Sequence, residues 1–201
     1  MVFIHTPKIE SDAMGARKRF AFEEIFLIQL ERQQTRHEFR TKAAFKIEKE
    51  ESEIEKFIKR FPFEATSAQR KSIKHILDDF KKGYPMSRLL EGDVGSGKTA
   101  VAAVAAYATT TSKPKGQDFG TLQIAYMAPT EILAQQHFES FIKYFSHLPI
   151  NIALITGSGC RKFPSKVNPN GWTDISRAQL LKWVASGEIS ILIGTHALIQ
   201  K

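Results

Sequence analysis

The sequence predicts an α/β fold with a parallel sheet, preceded by a long helical segment. Three observations predict it. Residues 16–61 contain neither glycine nor proline, a composition that favours helix. After Pro62, short apolar runs alternate with amphipathic stretches, as in βαβ units. A glycine-rich loop at residues 92–99 separates a short apolar run from an alanine-rich stretch, which is the order of strand, phosphate-binding loop and helix in such sheets.

Size and composition restrict the possible architectures. A chain of 201 residues is long enough for one domain of ordinary size with an appendage, and too short for two full cores. Hydrophobic residues make up 42% and charged residues 25%, which excludes a wholly disordered or fibrous chain. We therefore expect a helical arm over residues 1–60 and an α/β lobe over residues 61–201.

Charge and cysteine content indicate the kind of partner and compartment. Lys and Arg number 29 against 21 Asp and Glu, a net charge of +8, which suits a polyanion such as nucleic acid. Simple solubility charge explains the excess equally well. A lone cysteine, Cys160, cannot form an internal disulfide or a multi-thiolate metal site, so a reducing, cytoplasmic location is expected. No apolar stretch is long enough for a signal peptide or a membrane span.

The helical arm is predicted as one long helix or a helix pair over residues 16–61. Its apolar residues cluster in residues 20–30, where Phe22, Phe26 and Leu30 are spaced four apart and share one helix face. That half of the arm is expected to need a partner surface. Beyond Glu31 the apolar positions thin out among mixed charges, as in a solvent-exposed strut.

The lobe is predicted to alternate strands with helices. The strands are expected at residues 88–91, 122–128, 150–156 and 189–194, where apolar residues form short runs. The helices between them are expected at residues 67–82, 98–110, 130–145 and 173–186. Surface loops rich in Gly, Pro, Ser and Lys are expected at residues 111–120 and 157–171.

The strongest functional motif is GDVGSGKT at residues 92–99, which fits the phosphate-binding pattern G-x-x-x-x-G-K-[ST]. Gly92, Gly95 and Gly97 allow the backbone to wrap around phosphate oxygens with its N–H groups pointing inward. Lys98 would bridge the β- and γ-phosphates, and the Thr99 hydroxyl would coordinate Mg²⁺. A nucleoside triphosphate is therefore the expected ligand; the alternative is a glycine-rich turn that binds nothing.

Upstream of this loop, Gln69 has two possible roles. Its amide can donate to and accept from an adenine edge at once. The spacing Thr66-x-x-Gln69 also fits a helix capping box, in which the Gln69 side chain bonds the Thr66 backbone. From spacing alone the cap is the preferred interpretation.

Beyond these motifs, the chain resembles the RecG-type ATP-dependent DNA helicases of superfamily 2, which remodel branched DNA in bacteria. The resemblance is carried by successive blocks in the family's order: YPMSRLLEGDVGSGKTAVAA, MAPTEILAQQHFESF, LITGS and SGEISILIGTHALIQ. It extends to IHTPKIESDAMGARKRFAFEEIFLIQL, which is similar to the segment joining that family's wedge domain to its motor. A transcription-repair coupling translocase is the relative to exclude, and its loop usually has Phe in place of Ser96. The fold that the resemblance implies is an incomplete RecA-like P-loop lobe.

The resemblance implies a role for each matching residue. ATP and Mg²⁺ would be the cofactors, with Lys98 and Thr99 catalytic and Thr99 the metal ligand. The residues that would hold the nucleotide are Gln69, Gly92, Gly95, Ser96, Gly97, Lys98 and Thr99. Those that would contact the backbone of branched DNA are Thr130, Gly157, Ser158, Thr195 and His196. For Thr130 and Thr195 plain N-capping is the alternative, and for His196 a tautomer held by local hydrogen bonds.

One departure limits what the resemblance implies. A nucleotide-hydrolysing motor needs a carboxylate at the end of a second strand to hold Mg²⁺, and a neighbour to orient water. The family's Asp-Glu-x-His motif is missing from this sequence, so we expect an internal piece of a longer protein that binds ATP but neither hydrolyses it efficiently nor unwinds DNA alone. The alternative is a non-catalytic nucleotide-binding module that docks a partner through its helical arm. Oligomeric state is left open.

Overall fold

The computed structural model describes residues 5–113, 116 and 120–199. The chain separates into two compact units, Met1–Ala44 and Phe45–Lys201. The predicted loop at residues 111–120 falls partly outside the described residues.

Most of the described part of the first unit is the helix α1 (Glu10–Thr41). Glu10 and Asp12 lie in its first turn, where acidic side chains favour the helix dipole. Within this unit none of the helix residues is buried, and the rings of Phe22 and Phe26 stack with centroids 6.0 Å apart. The predicted apolar face is therefore present and uncovered within its own unit.

The predicted helical arm is interrupted after Thr41, so of the two alternatives the helix pair is correct. Residues 42–50 are not helical, and α2 (Glu51–Ile58) follows. The Ile47 N–H donates to the Phe80 carbonyl at 3.1 Å, and the Ile47 side chain is buried. Phe57 of α2 is buried and stacks on Tyr107 with centroids 4.3 Å apart. Tertiary anchoring thus outweighs the helix propensity of residues 42–50.

Three helices of the second unit form close to where the sequence predicts them: α3 (Ser67–Phe80), α4 (Lys98–Thr110) and α5 (Glu131–Phe145). The Thr66 hydroxyl accepts from the Gln69 N–H and the Thr130 hydroxyl from the Leu133 N–H, each at 3.3 Å. These N-caps satisfy backbone donors that a helix leaves free at its start.

The strands form one sheet in the order β1-β5-β2-β3-β4. Their bounds are β1 Ile124–Met127, β2 Ile152–Ile155, β3 Cys160–Phe163, β4 Thr173–Ile175 and β5 Ile191–Gly194. β5 runs parallel to both β1 and β2. β3 pairs antiparallel with β2, and β4 pairs antiparallel with β3. Among the described residues β1 pairs with β5 alone, so its other side is an edge of the sheet.

The fold class is confirmed, but three sequence predictions within it are wrong. The sheet is mixed rather than parallel, because residues 157–171 include β3 instead of forming a loop throughout. Residues 173–186 are β4 followed by a shorter helix, α6 (Arg177–Ala185), which Ser176 caps by accepting from the Gln179 N–H at 3.2 Å. Residues 88–91 form no strand; Leu90 packs on the core while Leu89 is exposed.

Both faces of the sheet are covered. Ile152, Leu154, Ile191 and Ile193 belong to a core that includes buried residues of α2 to α5. Alternate β2 residues Ala153 and Ile155 pack on the opposite face with Leu180 of α6, as the period of two in a strand requires. No helix in the described ranges is both long and apolar enough to cross a membrane.

Candidate functional site

The glycine-rich loop forms a tight turn that leads into α4. The Ser96 N–H donates to the Asp93 carbonyl at 3.1 Å. Gly95 has φ +81° and Gly97 has φ +80°, left-handed values that glycine adopts without steric cost. Gly97 is also the N-cap residue of α4, and its carbonyl accepts from the Ala100 N–H at 2.9 Å. The glycines at 95 and 97 are therefore required by the backbone conformation.

Several N–H groups of this loop are available to a ligand. Those of Gly95, Gly97, Lys98 and Thr99 donate to no other residue within the described ranges. Two of them open α4, where the partial positive charge of the helix dipole adds to the field. Clustered free N–H groups at a helix N-terminus form an anion site. The loop geometry thus fits the phosphate groups of a nucleotide.

The Lys98 side chain folds over the same loop. Its ammonium Nζ donates to the Gly92 carbonyl at 2.6 Å and to the Asp93 carbonyl at 2.8 Å. These bonds hold a positive charge against the first two residues of the loop. Phosphate oxygens would be stronger acceptors for the ammonium than the two carbonyls, because both partners are charged.

Gln69 connects α3 to the loop and completes a capping box. Its Oε1 accepts from the Thr66 N–H at 2.9 Å, and its Nε2 donates to the Ser96 carbonyl, also at 2.9 Å. A Cβ atom at Gly97 would overlap Gln69 Nε2. The capping interpretation is confirmed, and the second bond places the amide against the nucleotide loop. A primary amide keeps one further N–H and one further lone pair for another ligand.

Thr99 lies between the loop and the sheet. Burial raises the pKa of Tyr126 on β1, and a hydrogen-bonding interaction with the Thr99 side chain partly offsets that rise. The Tyr126 ring packs against His137 and Phe141 of α5, with centroids 4.9 and 5.1 Å away. Tyr126 therefore connects the predicted metal ligand to the core between α4 and α5.

The predicted Mg²⁺ site has few protein ligands. Within the described ranges no group of three His, Cys, Asp or Glu side chains could hold a metal ion. A site built on Thr99 alone still fits Mg²⁺, because this ion usually keeps several waters and is bound largely through substrate phosphates.

The residues predicted to contact DNA lie at one edge of the sheet. The register aligns Met127, Gly194 and Ile155, the last residues of the parallel strands β1, β5 and β2. Thr130 lies after the end of β1, Thr195 and His196 follow the end of β5, and Gly157 and Ser158 follow the end of β2. The structure thus brings all five predicted residues to the same edge, and Thr195 is the one that is partly buried.

The local hydrogen bonds of these residues differ. Thr130 caps α5, as the alternative interpretation expected, whereas Thr195 forms no side-chain cap to the 3-10 turn His196–Leu198. The Gly157 N–H donates to Oε1 of Glu131 at 2.8 Å. Sequence reasoning missed Glu131 and Tyr126. The sequence signals them only by position: Glu131 ends the MAPTE block, and Tyr126 lies in the strand before it. Their partners, Gly157 and Thr99, are distant in the sequence, so no local spacing indicates the contacts.

The chain is similar to known helicases. A family model described as DEAD/DEAH box helicase matches residues 66–201. The chain is 42% identical over 198 residues to a protein of Staphylococcus aureus named ATP-dependent DNA helicase RecG, and 40% identical to the protein of the same name from Bacillus subtilis. Each match covers 98% of this chain and 26% of the relative.

A solved structure gives a similar result. The structure described as RecG bound to a three-way DNA junction matches with a TM-score of 0.74 and 35% sequence identity. The match covers 98% of this chain and 24% of that chain. This chain therefore spans about a quarter of the length of the relatives that it matches.

Proposed function

This chain belongs to the DEAD/DEAH box helicase family, and from that premise we propose that it supplies the ATP-binding and part of the DNA-binding surface of an ATP-dependent helicase that acts on branched DNA. The relatives named RecG and the junction-bound structure support this substrate class. A role in recombination and repair follows from such a substrate. The proposal assigns ATP and Mg²⁺ as cofactors.

The observation that carries the proposal is the loop at residues 92–99. This loop contains four N–H groups that donate to no other described residue, the N-terminus of α4 and the Lys98 ammonium. In the proposed complex Lys98 exchanges its bonds to the Gly92 and Asp93 carbonyls for bonds to phosphate oxygens. Gln69 is held beside the loop by Thr66 and Ser96, so its remaining N–H and lone pair can read adenine.

The role of Thr99 is to offer its hydroxyl oxygen to the cation. When bound, Mg²⁺ neutralises charge on the β- and γ-phosphate oxygens. Thr99 would hold the ion through its hydroxyl oxygen, and Tyr126 interacts with the Thr99 side chain. The Asp-Glu-x-His motif, which would supply the carboxylates that hold the ion and orient the attacking water, does not occur in this sequence. We therefore propose that the 201-residue chain binds ATP without efficient hydrolysis.

The DNA contact is proposed at the edge where β1, β5 and β2 end. Thr130, Ser158 and Thr195 would offer hydroxyl groups to backbone phosphates there, His196 would add its imidazole, and Gly157 would form part of the contact turn that carries Ser158. Contacts of this kind position a protein on DNA without reading its sequence. The net charge of +8 favours association with a polyanion at low salt.

Nucleotide binding is tested by titrating a fluorescent ATP analogue with Mg²⁺ into the chain. We expect Lys98→Ala to weaken binding about 10- to 100-fold, because a hydrogen bond to a charged group contributes about 1.5–3 kcal/mol. Lys182→Ala, on the exposed surface of α6, is the matched control and should bind as the unsubstituted chain does. Equal affinity of the Lys98 and Lys182 variants would refute the loop as the nucleotide site.

A second candidate is a non-catalytic nucleotide-dependent module that docks a partner through its helical arm. The favouring observation is the apolar face of α1 formed by Phe22, Phe26 and Leu30, which is uncovered within its own unit. The two functions differ in their response to DNA. A polypeptide extended to the length of the RecG relatives should release phosphate faster when junction DNA is added if it is a helicase, and at an unchanged rate if it is such a module.

A further inference from the structure

We propose that Glu131 is a positioning residue for DNA binding, whose carboxylate ties the turn at residues 156–159 to the N-terminus of α5. The inference rests on the proposed DNA contact at this edge of the sheet. It adds a residue that touches neither nucleotide nor DNA and that sets the distance between two groups that touch DNA.

The two elements that the Glu131 carboxylate joins, the turn at residues 156–159 and α5, follow different strands of the sheet. Glu131 is the first residue of α5 and directly follows Thr130, whose hydroxyl caps that helix. The 156–159 turn directly follows β2. Glu131 Oε1 accepts from the Gly157 N–H at 2.8 Å, a length typical of a charge-assisted hydrogen bond. This is a direct side-chain bond between two of the three proposed contact elements.

The turn has an internally fixed shape. The Thr156 N–H donates to the Gly159 carbonyl at 3.0 Å, and the hydroxyls of Thr156 and Ser158 lie 3.0 Å apart. Thr156 is buried while Ser158 is exposed. Because these bonds define the turn from within, the Glu131 bond has a different effect. It fixes where the whole turn, with its Ser158 hydroxyl, stands relative to Thr130.

The lack of a side chain at Gly157 leaves room for this tie. A Cβ atom at this position would lie 2.8 Å from Glu131 Oε1, which is closer than carbon and oxygen pack without displacement. Since the Gly157 N–H is donated to Glu131, the turn contacts a phosphate through Ser158. The contribution of Gly157 to DNA binding is then indirect, through the position of the turn.

The carboxylate is also well placed electrostatically. It lies in the first turn of α5, where the helix dipole stabilises a negative charge. A negative charge close to a DNA phosphate weakens binding by repulsion, however. The positioning role therefore predicts that loss of the hydrogen bond outweighs relief of that repulsion, and this difference makes the proposal testable.

The test measures binding of a fluorescein-labelled three-way DNA junction to the full chain by anisotropy. Glu131→Ala should weaken binding about 3- to 10-fold, the fold-change expected for losing one hydrogen bond of ordinary strength. Glu131→Gln keeps an acceptor oxygen for the Gly157 N–H and should bind within about 2-fold of the unsubstituted chain. Glu139→Ala, on the exposed side of the same helix, is the matched control for removal of one negative charge.

Amide hydrogen exchange supplies a readout that does not depend on DNA. Exchange at Gly157 should be faster in Glu131→Ala than in the unsubstituted chain or in Glu131→Gln. Unchanged or tighter junction binding by Glu131→Ala overturns the proposal, as does an equal loss in the Ala and Gln variants. If the unsubstituted chain fails to bind the junction, the proposed DNA contact fails and the positioning role with it. If the unsubstituted chain binds the junction but amide exchange at Gly157 is unchanged in Glu131→Ala, the positioning role of Glu131 is rejected and the proposed DNA contact is not.

Discussion

Replacing Gly97 by alanine tests the connection between Gln69 and the nucleotide loop. Gly97 has φ +80° and ψ 23°, a left-handed conformation that costs a residue with a Cβ about 1–2 kcal/mol. The new Cβ would also overlap Gln69 Nε2. The Gln69 side chain must then leave the Ser96 carbonyl, to which it donates at 2.9 Å.

The expected cost has two separable parts. Backbone strain should remove about 1–2 kcal/mol from the free energy of unfolding. Loss of the Gln69–Ser96 hydrogen bond should remove about 0.5–1.5 kcal/mol more. Gly95→Ala is the matched control, because Gly95 has φ +81° and no atom lies within 4 Å of its added Cβ. Gly95→Ala should therefore cost the backbone part alone.

The assay is urea unfolding of each variant, followed by tryptophan fluorescence. Gly97→Ala should be less stable than Gly95→Ala by about 1 kcal/mol, one hydrogen bond's worth. In a Gln69→Ala background this difference should vanish, because the side chain that the Cβ displaces is absent. Equal stability of the two glycine variants, or a difference that persists without Gln69, would show that Gly97 makes no energetic contact with Gln69.

Two further predictions concern Tyr126 and the histidines. Tyr126→Phe keeps the ring packing against His137 but removes the hydroxyl near Thr99. The Mg²⁺ concentration needed for half-maximal binding of the ATP analogue should therefore rise about 3-fold, the effect of one weak hydrogen bond, while the affinity without Mg²⁺ stays unchanged. An unaltered Mg²⁺ requirement would contradict this prediction. Burial lowers the pKa of His137 below its usual 6.5, and burial followed by the Arg60 charge lowers that of His147. Because the unfolded chain then takes up protons more readily, the free energy of unfolding should be constant above pH 6.5 and fall as the pH drops below it. The midpoint of urea unfolding, measured between pH 7.5 and 5, tests this prediction. His137→Gln should make the decline in stability less steep. A midpoint that rises on acidification would contradict the predicted sign.

The elements that could be predicted from the sequence are those fixed by local bonds. The helices α3 and α5 begin where Thr66 and Thr130 provide side-chain caps, and α4 begins after the left-handed glycine Gly97. These signals depend on residues within one turn. The nucleotide loop is similarly local, since its glycines and Lys98 lie within eight residues of one another. Gln69 as a cap follows from the same spacing rule.

The errors arose where long-range contacts decide the structure. Residues 88–91 have a strand-like composition, but a strand needs a paired neighbour and none of the described strands provides one. The segment at residues 42–50 has helical composition, yet Ile47 is fixed to the Phe80 carbonyl. The start of α6 could have been found, because Ser176-x-x-Gln179 repeats the spacing of Thr66-x-x-Gln69. The Glu131–Gly157 bond joins residues 26 apart in the chain, so no local pattern indicates it.

The one-sided pairing of β1 has a practical consequence for handling the protein. The outward N–H and C=O groups of Ile124–Met127 are not paired by any strand within the described ranges, and residues 120–130 carry no charged side chain. An apolar, uncharged edge of this kind is a template on which a second molecule can add its own strand. Concentrating the sample should therefore promote fibrillar precipitation at a rate that rises with protein concentration, and storage in dilute solution should delay it.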